Sequence, residues 1–165
     1  MSNIFSYSDD ELALYNPAYL GYLLYSSIRE YNSASGRRFS SNLSFLVIPL
    51  SVNKIFYSRL PSKTTTSLDK WIGENDGYLV LFSKLAESFI PAVVDALEFL
   101  ALNGLIDVDI NGDINIINGN LPMTSALFNK SEDMKQSLRA SKFLGKWFSF
   151  MESDVTVFAK FGVQP

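Results

Sequence analysis

The chain has 165 residues, 47% hydrophobic and 14% aromatic against 19% charged, enough to bury roughly 70% of its unfolded surface in one domain. It contains no cysteine and no histidine, which excludes disulfides, Ser/His and Cys/His nucleophile systems, histidine base catalysis and nearly all zinc sites, and fits a reducing cytoplasm. With a net charge of -3, the protein as a whole is not an electrostatic ligand for nucleic acid.

The opening MSNIFSYSDDELALYNP has neither a basic region nor a continuous apolar run, so it is not read as a signal peptide. The first helix is expected over about 17 to 32. Asn16 can accept from its free amides, and Pro17 loses nothing by lacking an N–H at the first helical position. Leu20, Leu24, Ile28 and Tyr31 form one stripe and Tyr15, Tyr19 and Tyr22 a second, so the helix is expected to be covered on more than one side.

SASGRRFSSNL reads as a loop. Residues 43 to 57 are too apolar for a solvent-facing element, and Pro49 removes a ladder donor, so they read as a buried helix bent near the proline. The run from Phe45 to Phe56 also falls short of the ~20 apolar residues a membrane span needs. RLPSKTTTSLDKWIGENDG reads as a loop and a short helix capped by Thr66, with Asp69 three residues on and Gly73 or Gly77 as the stop. Residues 78 to 103 carry a long helical pattern, Leu81, Leu85 and Phe89, then Val93, Leu97 and Leu100. Pro91 is expected to kink or divide it, and Gly104 to close it.

ALNGLIDVDINGDINII then alternates apolar and polar residues on both sides of Gly112, the signature of a half-buried strand pair. A two-residue Asn-Gly loop would set Ile110 opposite Asp113 and mix the two faces. A three-residue loop, Ile110-Asn111-Gly112, pairs Val108 with Ile114 and Ile106 with Ile116, and puts Gly112 where a left-handed conformation is needed. The aspartates then face outward. Asp107, Asp109, Asn111 and Gly112 also match the start of a calcium loop, but Asn118 stands where a bidentate glutamate belongs and GNLP cannot begin the second helix.

After a polar loop, a helix is expected over about 131 to 151, started by Ser131 with Glu132 and Asp133 in its first turn, and a short C-terminal helix ended at Gly162. Helices followed by strand, turn and strand are in the order of a winged helix. The fold expected is therefore mostly α with a small β-hairpin: one winged-helix-like domain with a core of about 16–117 and a C-terminal helical extension of about 131–165.

A DNA-reading helix and wing should be basic. Residues 76 to 113 hold Asp76, Glu87, Asp95, Glu98, Asp107, Asp109 and Asp113 against Lys84 alone, a net -6. Cations gather elsewhere. Lys135, Arg139, Lys142 and Lys146 line one narrow stripe of the last long helix, either as a solvated face or as a contact for nucleic acid or an acidic partner. Arg37, Arg38, Lys54, Arg59, Lys63 and Lys70 populate the earlier loops.

Four patterns taken in order, NPAYLGYLLYSSIREYN, FLVIPLSVNKIFYSRLPSKTTTSLDKWI, FIPAVVDALEFLALNGLIDV and LGKWFSFM with a terminal FGVQP, resemble the middle component of bacterial three-component ABC systems, including the Lamassu-type anti-phage systems. The resemblance spans nearly the whole chain, although the turn after the long helix is unusually acidic. It implies a small non-enzymatic, winged-helix-like subunit beside an SMC- or Rad50-like ATPase and an effector, often a nuclease. The ATPase would sense unusual DNA, and the middle component would help hold the effector inactive until then.

The residues agree with an adaptor: there is no Gly-rich phosphate loop and no carboxylate pair in an evident pocket. Tyr19, Arg59, Trp71, Trp147 and Phe148 are the residue types that anchor interfaces, with core packing the competing role for both tryptophans. No cofactor, metal, small-molecule substrate or membrane is expected, and DNA is expected to be met mainly through the complex. A stand-alone winged-helix transcription regulator, binding through the basic stripe, is the competing function.

Overall fold

Asn16 and Pro17 open the first helix as expected in the computed structural model, which describes residues 16–123 and 126–163; Tyr15 lies outside the described residues. In α1 (Pro17–Ser35) the Asn16 side chain accepts from the Tyr19 N–H at 2.9 Å, and the helix ends three residues later than expected, where Gly36 turns left-handed at φ 68°. Leu20, Leu24, Ile28 and Tyr31 are buried, and so are Leu23, Tyr25, Ser26 and Ser27, so α1 is covered on two sides.

The loop after α1 contains a short strand that the sequence hides, β1 (Phe39–Ser40), followed by a 3-10 turn at Ser41–Leu43. The apolar segment is α2 (Ser44–Val52) and α3 (Lys54–Tyr57). It is buried as expected, but its break lies at Asn53 rather than at Pro49. The Asn53 backbone is extended (φ -84°, ψ 120°) and its side chain accepts from the Ile55 N–H, so a new cap starts α3, while Pro49 stays helical.

In α4 (Leu68–Glu74) the cap is Ser67, which accepts from the Lys70 N–H, one residue beyond the expected Thr66. Neither Gly73 nor Gly77 stops a helix: α4 ends at Asn75, and α5 (Asp76–Leu79) contains Gly77. The long helix α6 (Phe82–Leu102) passes through Pro91 undivided. Pro91 faces solvent, so the carbonyl of Glu87, four residues back, can turn to water when the proline offers no donor. Leu85, Phe89, Val93 and Leu100 are buried as their spacing predicts, whereas Leu81 precedes the helix and is exposed.

Strands β2 (Ile106–Val108) and β3 (Asp113–Ile116) pair Ile106 with Ile116 and Val108 with Ile114, the register of the three-residue loop, and Gly112 has φ 80°. On its other side β3 pairs antiparallel with β1, Phe39 facing Ile114, so the hairpin is part of a three-stranded sheet in the order β1-β3-β2. The chain closes with α7 (Glu132–Phe148), capped by Ser131, and α8 (Asp154–Phe161), capped by Ser153 and ended at Gly162 with φ 68°.

Helices α1 and α2 each pack against both α6 and α7, which barely touch one another. Residues 132–148, expected to extend a core of about 16–117, thus form one wall of that core. The wall is close because α7 presents Ser137, Ser141 and Gly145 one turn apart, all buried. A Cβ at Gly145 would lie 2.8 Å from the Ser27 carbonyl carbon, nearer than real side chains approach. Around this contact each fully buried Leu or Phe stabilises the fold by roughly 1.5–3 kcal/mol. Among the described residues, no helix is long and apolar enough to cross a membrane.

Candidate partner-binding surfaces

Of the five expected interface anchors, the structure brings three into one aromatic cluster. Trp71 on α4 and Trp147 on α7 meet edge to face, with ring centroids 5.7 Å apart, and Phe148 and Phe161 pack beside them. All four are buried. The indole N–H of Trp71 donates to the Arg59 carbonyl and that of Trp147 to the Thr66 carbonyl, both at 2.8 Å, so the pair pins the loop between α3 and α4. These faces are taken up within the chain, the core role weighed for both tryptophans.

The other two anchors are half-buried. Arg59 lies over the Tyr78 ring at 3.9 Å, and its guanidinium donates to the Tyr78 hydroxyl and the Ile55 carbonyl. Tyr19 stacks on Phe128, and burial raises its hydroxyl pKa above the ordinary value.

The basic stripe divides. Lys135, Arg139 and Lys146 are exposed on α7, while Lys142 is half-buried and donates to the Met123 carbonyl at 2.6 Å; burial lowers its ammonium pKa. Beside Arg139 lies a cleft of about 320 Å³, lined by Tyr57, Leu60, Pro61, Gln136 and Phe143 among others. Tyr57 donates to Asp133 at its rim, and burial, then that carboxylate, pushes its hydroxyl pKa up.

Long-range polar contacts were missed by sequence reasoning, because their partners lie 90 or more residues away. Tyr22, Tyr25 and Arg29 on α1 donate to the carbonyls of Pro122, Asn118 and Leu121, strapping the loop after the hairpin onto α1. Arg37 donates to the carbonyls of Ser149, Met151 and Glu152 just past the end of α7, where a cation suits the helix dipole. Ser40 and Asn42 both donate to the Asp154 carboxylate at the start of α8.

The hairpin aspartates do not share one role. Asp107 is exposed, as expected. The Asp109 carboxylate turns back, accepting from the N–H groups of Asn111 and Asp113 and pairing with Arg38 at 2.8 Å, which corrects the outward placement of this residue. Its pKa is lowered, first by the Asp113 N–H. Among the described residues, no three acidic side chains converge as a metal site would require.

One apolar surface remains open on α6. Ile90 and Val94, one turn apart, are each 46% exposed, and Pro91 is exposed between them. A groove of about 600 Å³ adjoins this row, walled by Phe45, Ala86, Ile90, Phe158 and Val163, with Glu87 among its lining residues. Helical spacing from the buried stripe finds this row too, since Ile90 and Val94 each fall about 100° round the helix from Phe89 and Val93.

Residues 6–165 match the family model described as ABC-three component (ABC-3C) system Middle Component 3. Comparison with curated proteins and with solved structures finds no match.

Proposed function

The chain belongs to the Middle Component 3 family of ABC-three component (ABC-3C) systems, and on that membership we propose that it is a non-catalytic accessory subunit of a defence complex. In this reading it links an SMC- or Rad50-like ATPase to an effector of nuclease type, in the bacterial cytoplasm. It helps keep the effector inactive until foreign or aberrant DNA is sensed. The match over residues 6–165, nearly the whole chain, carries the reading. The exposed apolar row on α6 supports it, since Ile90, Pro91 and Val94 are contiguous and adjoin an apolar groove, and contiguous apolar surface of this kind favours a contact role.

Co-expression with the other two components tests it. The expected result is stoichiometric co-purification with a coiled-coil ATPase. A well-behaved monomer indifferent to both neighbours overturns it.

A stand-alone winged-helix regulator is the second reading, and one observation favours it. Helix, strand, helices, then two strands, with a β1-β3-β2 sheet, is the element order a winged helix would have, and in that reading α6 takes the recognition position. Against it, the exposed side of α6 carries Glu87, Asp95 and Glu98 with Lys84 its single base, which repels phosphate. Duplex binding that falls steeply with salt and depends on Lys135, Arg139, Lys142 and Lys146 would establish this reading. No binding at low salt removes it.

A further inference from the structure

We propose that the outward face of α6, with its adjoining groove, docks a basic amphipathic helix of another component of the system. The proposal rests on the accessory-subunit reading and names the surface that reading requires. Along α6 the residues Glu87, Ile90, Pro91, Val94 and Glu98 share one side of the helix, at the spacing of successive turns, and all five are exposed. Apolar side chains occupy the middle and a carboxylate stands at each end, about 16 Å apart along the axis. Asp95 flanks the row.

None of these three acids makes an ion pair among the described residues, where the carboxylates paired are Asp69 and Asp109. Their charge is therefore available to a partner. Ile90 belongs both to this row and to the wall of the 600 Å³ groove, so an apolar anchor seated between Phe45, Ala86 and Phe158 would continue the same contact.

Charge decides the occupant. A duplex is repelled by this face. The chain's own segment 1–15 carries Asp9, Asp10 and Glu11 and no base, so it shares the sign of the row. Of the described helices a second copy could offer, only α7 carries more than one exposed base, Lys135, Arg139 and Lys146, and α7 has no exposed large apolar side chain to meet Ile90 and Val94. What fits is a helix with apolar residues at its centre and Lys or Arg about eleven residues apart at its ends. The acids then steer the encounter and fix register, while Ile90 and Val94 hold the docked state.

The test uses the full chain and the other two components, each purified. Two variants, Ile90→Asp with Val94→Asp and Glu87→Lys with Glu98→Lys, alter only exposed side chains. Unfolding midpoints check that each remains folded. A photo-crosslinking residue in place of Val94 maps the contact in an otherwise wild-type protein.

The expected result is binding about tenfold or more weaker for each variant. The wild type should also weaken between low salt and about 0.15 M ionic strength, more than the lysine variant does. The crosslink should fall on a partner helix with the stated pattern of bases. Wild-type binding unaffected by both substitutions overturns the inference and leaves the accessory-subunit reading standing. A crosslink to an acidic segment, to a second copy or to nucleic acid also overturns it. A wild type that binds neither component overturns the inference together with the reading beneath it.

Discussion

Gly145 of α7 lies against the backbone of Ser27 in α1 so closely that the two helices meet main chain to main chain. A methyl group there would fall 2.8 Å from the Ser27 carbonyl carbon and 2.9 Å from its Oγ. The obstacle is main chain in the middle of a buried helix, which cannot swing aside as a flexible side chain would. Gly145→Ala should therefore destabilise the protein by about 1–3 kcal/mol, even though alanine is the better helix former. The matched control is Gly73→Ala in α4, where a Cβ meets open space. It should stabilise by about 0.5–1 kcal/mol. Urea unfolding of the two variants should give shifts of opposite sign.

The tryptophan pair predicts a coupled loss. Trp147→Phe keeps most of the ring packing but leaves the Thr66 carbonyl without its donor, at a cost of about 2 kcal/mol. Trp71→Phe does the same to the Arg59 carbonyl. Since the rings touch, the double variant should depart from additivity by about 0.5–1.5 kcal/mol in a thermal or chemical unfolding cycle.

How much of this was readable beforehand depends on range. The Asn16-Pro17 start, the hairpin register and the Gly104 and Gly162 stops rest on residues a few positions apart, and the structure has them where local chemistry predicts. Strand β1 is two residues in a Ser/Gly/Arg loop, defined only by pairing with a strand more than 70 residues later, so no local pattern marks it. Thr66 and Ser67 are both good caps, and only tertiary position chooses between them. The same holds for the candidate surface. Composition identified Trp71, Trp147 and Phe148 as large aromatics, but their depth depends on what α8 brings to cover them. The Ile90 and Val94 row was present in the helical spacing all along, about 100° round the helix from the stripe that marks the core.

Acid should weaken the link between the β1 region and α8. Burial tends to raise the Asp154 pKa, yet the hydrogen bonds from Ser40, Asn42 and the Val155 N–H outweigh it, and the folded value is lowered. A depressed folded pKa means that this stability is fully present above the unfolded value of about 3.9 and is lost as pH falls through the folded one. Asp154→Asn should flatten that part of the acid limb and cost less than about 1 kcal/mol at neutral pH, since the group is largely solvated. Urea midpoints measured from neutral pH down past the carboxylate range check this. A variant and wild type that fall in parallel would count against it.

The four lysines and arginines of the α7 stripe should separate by experiment. Alanine at Lys135, Arg139 or Lys146 should change stability by no more than about 0.5 kcal/mol, as expected for exposed side chains away from special contacts. Lys142→Ala removes the donor to the Met123 carbonyl. It should speed amide hydrogen exchange in residues 118–123 while leaving exchange in α1 and α7 unchanged.

The sheet has a consequence for how the protein behaves when crowded. Strand β2 lies at its edge, is only three residues long, and has exposed Asp107 at its centre. Edges that are long, flat and apolar recruit strands from neighbouring copies, and this one is too short and too charged to template such growth. The fully exposed Ile110 at the hairpin tip therefore adds apolar surface beside an edge that does not itself invite strand-by-strand growth.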